Sequence, residues 1–180
     1  MTEDRKTGAR TLVAGVGNIF LGDDGFGVEA VRALATHPLP AHVEVVDIGV
    51  RGVHLAYQLL DGYDMLVLVD ATARGGDPGT VYRIDVDSPG DIAPQGPVLD
   101  GHHMSPDAVL ALLETLCSGT GGTPPCRTVV VGCEPATLEE GIGLSAPVAA
   151  AVPEAVRLIQ EIVRESQAPV VGTAAREAGK

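Results

Sequence analysis

Short apolar runs rich in Val, Leu and Ile alternate along most of this chain with segments whose apolar residues recur at helical spacing, and that alternation leaves few folds open. Residues 11–15 form a β-branched run closed by glycine. Residues 25–36 follow, with Val28, Val31, Ala33, Leu34 and Ala35 in a helical stripe that Pro38 and Pro40 end. Residues 43–48 and 64–69 read as a second and third strand around a helix at 53–60. A fourth strand, 80–86, alternates Val81, Tyr82, Arg83 and Ile84, as a strand with one exposed face does. Residues 87–101, rich in Pro, Gly and Asp, read as a loop. Ser105-Pro106 supplies an N-cap and a first-turn proline for a helix running to about Leu116. After a break at 119–125 come a fifth strand at 128–131 and a long helix from Ser145-Ala146-Pro147 to near Glu165. The predicted class is α/β: one domain over residues 11–166, with a mostly parallel twisted sheet of about five strands and helices on both faces. A flexible start (1–10) and a disordered tail (167–180) are expected to flank it.

Charge and composition narrow what such a domain binds. Twenty-four Asp and Glu against twelve Lys and Arg give a formal net charge of −12, which repels nucleic acid and attracts cations and basic protein segments. No apolar stretch reaches the roughly 18 residues of a membrane span. The first ten residues lack the apolar centre of a signal peptide, so a cytoplasmic location with no membrane partner is expected. Helix and strand faces use up the apolar residues, and a monomer is expected. The spacing of Cys117, Cys126 and Cys133 fits neither a metal knuckle nor a disulfide framework, and buried thiols are expected.

Open parallel sheets place their sites beyond the carboxyl ends of the strands, here just after Gly15, Ile48, Val69 and Val131. The first turn, Gly15-Val16-Gly17-Asn18-Ile19-Phe20, begins like a dinucleotide-binding loop but has Phe20 where the third glycine belongs. Asp23 and Asp24 then stand where a phosphate would meet the helix. They would repel it, while the helix end stabilises each carboxylate by about 0.3–1 kcal/mol. A cation site replaces the anion site, and no nucleotide cofactor is expected; the plainer reading makes one of the two a helix cap. Asp70 closes the third strand and is expected to face the crevice. Asp47, at the end of the second strand, serves equally well as a turn residue or a functional one. His102 and His103 follow Asp100-Gly101 directly before a helix, where there is no core to fill. Two carboxylates and an imidazole with open positions suit a divalent transition metal. No GxSxG elbow or P-loop is present.

The ordered set Gly15-Val16-Gly17-Asn18, Asp23-Asp24-Gly25-Phe26-Gly27, Asp47-Ile48-Gly49, Leu68-Val69-Asp70-Ala71, Gly101-His102-His103-Met104-Ser105-Pro106, Gly132-Cys133-Glu134-Pro135 and Gly141-Ile142-Gly143-Leu144-Ser145 resembles the hydrogenase maturation proteases over residues 11–165. The resemblance implies an endopeptidase that removes a C-terminal peptide from the large-subunit precursor of a nickel–iron hydrogenase after nickel insertion. It implies metal ligation by Asp24, Asp70 and His102, the last favoured over His103 by its register to the following helix. Nickel would arrive with the substrate and not as a resident cofactor. Arg51, in a segment where many members have Thr, departs from the pattern and points to a subgroup with its own substrate preference. Two mechanisms stay open: the metal polarises the carbonyl or activates water, or a carboxylate, Asp23 or Asp70, acts as general base in the manner of an aspartyl protease. A small-molecule hydrolase or phosphorylase on the same scaffold is the alternative, with only Arg51 and Arg74 near the strand ends to hold a phosphate. A nickel-delivering chaperone would carry a His-rich or Cys-rich tract, and the sequence has none.

Overall fold

The computed structural model of the chain describes residues 9–87 and 106–166. Side chains along the central strands point alternately to two separate interiors, and the rest of the architecture follows from filling both. The elements run β1 (Thr11–Val16), a 3-10 turn at Gly22–Gly25, α1 (Phe26–Leu34), β2 (Val43–Gly49), α2 (Gly52–Leu59), β3 (Met65–Ala71), β4 (Val81–Asp85), α3 (Pro106–Thr120), β5 (Arg127–Cys133) and α4 (Ala146–Glu165). They form one five-stranded sheet of order β2-β1-β3-β5-β4. The first four strands of that order are parallel, and β4 lies antiparallel to β5 at the edge.

Val13 on β1, Met65, Val67 and Val69 on β3 and Val129 and Val131 on β5 face α1 and α4, where Phe26, Leu34, Ile159 and Ile162 close the core. Leu12, Ala14, Leu66, Leu68 and Val130 face the other way, against Leu55 and Leu59 of α2 and Val109 and Leu113 of α3. Strands buried on both faces need apolar residues at every position, which is why β1 and β3 read as unbroken runs. The expected α/β class with a mostly parallel sheet covered on both sides is the one observed.

Several boundaries differ from expectation. α3 continues past Leu116 to Thr120, so Gly119 is helical: Leu113 and Cys117, one turn apart, are both buried and carry the helix on. The chain turns at Gly121, whose φ is +73°. Arg10 is tied down, its N–H donating to Asp64 Oδ2 at 2.7 Å and its guanidinium lying 4.4 Å from the Tyr63 ring centre. Cys117 and Cys133 are buried as expected, but Cys126 is exposed. It precedes β5 at the surface and donates to the Asp64 carbonyl. Residues 1–8, most of the expected loop together with His102, His103 and Ser105, and the expected tail lie outside the described residues.

Close backbone contact fixes how α1 meets the sheet. A Cβ on Gly27 would overlap the carbonyl oxygens of Val69 and Val16, and one on Gly15 would overlap the carbonyl of Gly27. The start of α1 therefore rests on the ends of β1 and β3 with no side chain between. Gly27→Ala should cost about 1–3 kcal/mol or more through overpacking, read as a fall of at least about 3 °C in Tm. An unchanged Tm would show that the contact is loose.

Candidate active site at the carboxyl ends of the strands

β1 ends at Val16, and the chain turns sharply at Gly17, whose φ of +125° and closeness to the Asp24 carbonyl both require glycine. Gly17 N–H donates to the Gly49 carbonyl at 3.0 Å, joining this turn to the end of β2. Asn18 N–H donates to Asp24 Oδ2 at 2.7 Å, and Asn18 Oδ1 accepts the Phe20 N–H. The loop amide that a phosphate would take in a nucleotide-binding fold is thus given to a carboxylate of the same chain.

Asp70 pairs across the sheet with Gly132 and projects to the same side as Leu66 and Leu68, toward α2 and α3. Burial at the strand end pushes its carboxyl well above the usual carboxylate range; the Asp24 carboxylate adds to this, against one hydrogen bond from the Ala71 N–H. The charge of Asp24 is thus felt at Asp70, two acids carried by the turn after β1 and the end of β3. Among the described residues no group of three His, Cys, Asp or Glu forms a metal cage. The third expected ligand, His102, and its neighbour His103 lie outside the described residues, although α3 opens at Pro106 on the face that Asp70 occupies.

Asp23 does different work from its neighbour. It is fully buried and accepts four hydrogen bonds: from Ala136 N–H at 2.8 Å, Thr137 N–H at 3.0 Å, Ser145 N–H at 2.7 Å and the Ser145 hydroxyl at 2.9 Å. Burial alone would raise its pKa, but those donors outweigh it and hold the carboxyl below its ordinary value. Asp23 caps no helix; it clamps the turn bearing Asp24 to the segment after β5. Asp47 pairs with Arg32 at 3.0 Å on the α1 side of the sheet. Arg51 folds back on the end of β2, donating to the Asp47 carbonyl at 2.7 Å and the Ile48 carbonyl at 3.1 Å. Both are engaged in shaping the β2 turn.

Glu134 was not singled out from the sequence. It is 6% exposed and accepts from the Arg74 N–H at 2.8 Å, the Gly75 N–H at 3.2 Å and the Tyr82 hydroxyl at 2.8 Å. Burial opposes its ionisation, yet these donors hold its pKa below the ordinary value. It fixes the loop that follows Asp70. Its signals in the sequence were its place directly after a buried apolar run, much as Asp70 closes one, and its membership of the Gly132-Cys133-Glu134-Pro135 block.

The chain belongs to the hydrogenase maturation protease family, whose sequence profile matches residues 28–162, and so to the endopeptidases. The hydrogenase expression/formation protein HupD of Rhodobacter capsulatus is 35% identical over 155 residues, covering 82% of this chain and 70% of the relative. The hydrogenase 2 maturation protease of Escherichia coli K12 is 33% identical over 160 residues, covering 87% and 92%. The solved structure of the hydrogenase maturating endopeptidase HybD from E. coli aligns with a TM-score of 0.73 at 32% identity, covering 87% of this chain and 93% of that one. HybD from Thermococcus kodakarensis, 23% identical with a TM-score of 0.67, shares the fold.

Asp23→Asn sets an amide NH2 against backbone donors and should cost about 2 kcal/mol or more of stability at pH 7. Because the folded-state pKa of Asp23 is depressed, its stabilisation is complete above the unfolded value of 3.8 and is lost as pH falls through the folded value. Urea unfolding at a series of pH values should show the gap between wild type and variant holding at neutral pH and narrowing below about pH 4. A gap independent of pH would refute the assignment.

Proposed function

We propose that this endopeptidase removes a C-terminal peptide from the nickel-loaded large-subunit precursor of a nickel–iron hydrogenase. What supports this reading is the family together with an Asp70 disfavoured as an anion by burial and by the nearby charge of Asp24. Two nearby carboxylates suit a divalent cation presented by the substrate. Asp24, Asp70 and His102 hold the nickel in this reading, so that only a loaded precursor completes the site. The bound metal supplies a Lewis acid to the scissile carbonyl. In the alternative in which Asp70 does not ligate the metal, its carboxyl, held above the ordinary range, is the one suited to exchange a proton with the attacking water or the leaving amine. Asp23 already accepts four hydrogen bonds and is poorly placed to serve as a base. The enzyme is taken to act in the cytoplasm as a monomer, and light scattering at twice the chain mass would overturn the second point. No helix among the described residues is long and apolar enough to cross a membrane.

The test is incubation with nickel-loaded precursor, with loss of the C-terminal peptide scored by mass. Asp24→Asn, Asp70→Asn and His102→Ala should each lower processing by about 100-fold or more, and His103→Ala should be mild. The folded-state pKa of Asp70 is raised, so the wild type loses stability as pH rises through that value. Asp70→Asn removes this penalty and should unfold at a higher temperature than wild type at neutral pH. Nickel-free precursor should remain uncut by the wild type. Cleavage of metal-free precursor at the same rate would leave the two acids as ordinary acid–base groups and end the nickel-sensing account.

A further inference from the structure

Four of the six large apolar side chains that remain exposed among the described residues lie on loops that follow the carboxyl end of a strand. Phe20 follows β1, Val50 follows β2 with Val53 and Tyr57 just beyond on α2, and Leu138 and Ile142 follow β5. Singly scattered apolar residues need no explanation, but the gathering of these four at the end of the sheet that bears Asp24 and Asp70 does. Ile142 is 83% exposed and Phe20 60%, more than any ordinary packing role leaves uncovered.

Residues 136–143 are exposed throughout, yet they are held in shape from beneath. Asp23 accepts the Ala136 and Thr137 N–H groups, Gly22 N–H donates to the Gly141 carbonyl at 3.0 Å, and Gly141 N–H donates to the Phe20 carbonyl at 2.9 Å. Glu139 N–H is taken by the Thr137 hydroxyl at 3.2 Å. Phe20 and Ile142 are thereby mounted on two bonded strands of loop, with Glu139 and Glu140 between Leu138 and Ile142. A loop fixed in advance loses little entropy when a partner covers it.

We propose that this loop pair docks the folded body of the precursor, apart from the peptide tail that enters the crevice. The matching surface on the precursor carries an apolar depression for Ile142 and Phe20, flanked by Lys or Arg to meet Glu139 and Glu140. This rests on the processing activity proposed above. The charge of the whole chain, −12, favours approach of that basic surface, and the two glutamates set its register. The apolar pair supplies the anchor at the centre of the contact.

Steady-state processing of the nickel-loaded precursor tests the proposal, using wild type, Ile142→Ser and the double variant Glu139→Lys with Glu140→Lys. Glu139, Glu140 and Ile142 are exposed loop residues outside the proposed metal-binding set, and unchanged Tm values confirm that both variants fold. Ile142→Ser should raise KM about tenfold with kcat within about twofold. The charge-reversed variant should raise KM comparably at low salt, with the defect shrinking as ionic strength rises. Unchanged KM in both variants, with wild-type processing intact, overturns the docking surface and leaves the function standing. A wild type that never cuts the precursor overturns both. A chain that sediments as a dimer until Ile142→Ser makes it monomeric assigns the surface to a second copy of itself and also overturns the proposal.

Discussion

Where α1 begins, backbone lies directly against backbone: Gly15 and Gly27 bring the first turn of the helix onto the ends of β1 and β3, and no side chain fits between them. Everything at the strand ends is placed by that contact. It sets the 3-10 turn at Gly22–Gly25 over the mouth of the sheet, and with it Asp24 beside Asp70. The contact could not hold the turn alone, because one end of it would swing free. The Asp23 carboxylate secures that end by gathering donors from residues 136, 137 and 145. Two adjacent aspartates thus divide the labour: one is buried as part of the frame, and the other is carried by that frame to the crevice.

The electrostatics follow from the same arrangement. A carboxylate given several N–H donors is comfortable when buried, as Asp23 and Glu134 are. Among the described residues Asp70 has one backbone donor, Ala71, set against burial and the nearby charge of Asp24. Stability would be served by another donor at that point. A buried acid of raised pKa at a strand end is the kind of group that marks candidate functional sites more often than structural ones.

Much of the fold was legible because strands buried on both faces must be apolar at every position, and the helices between them must carry stripes. β4 was legible as a strand from its alternation, but its direction was not, since only its pairing with β5 shows it to be antiparallel. Asp70 was visible as an acid closing an apolar strand. Asp23 and Asp24 could not be told apart in sequence, because the difference lies in partners more than a hundred residues away along the chain. Glu134 escaped notice for a similar reason: its donors come from a loop and from β4, far earlier in the chain. Arg51 stood out as a departure from its relatives, and the structure shows it wrapped on carbonyls of its own turn. The end of α3 was misjudged because Gly119 looks like a stop, while Cys117 supplies a further buried contact.

The thiols have a practical consequence. Cys117 and Cys133 are buried, and burial pushes the Cys133 thiol up to about 11, so it stays protonated and unreactive at neutral pH. Cys126 is exposed and sits just before the amino end of β5, at the opposite end of the strands from Asp70. A maleimide dye added to the folded protein would therefore attach at one known point, far from Asp24 and Asp70. The natural chain comes with its own single-colour reporter position, ready for following complex formation by fluorescence anisotropy without an engineered cysteine.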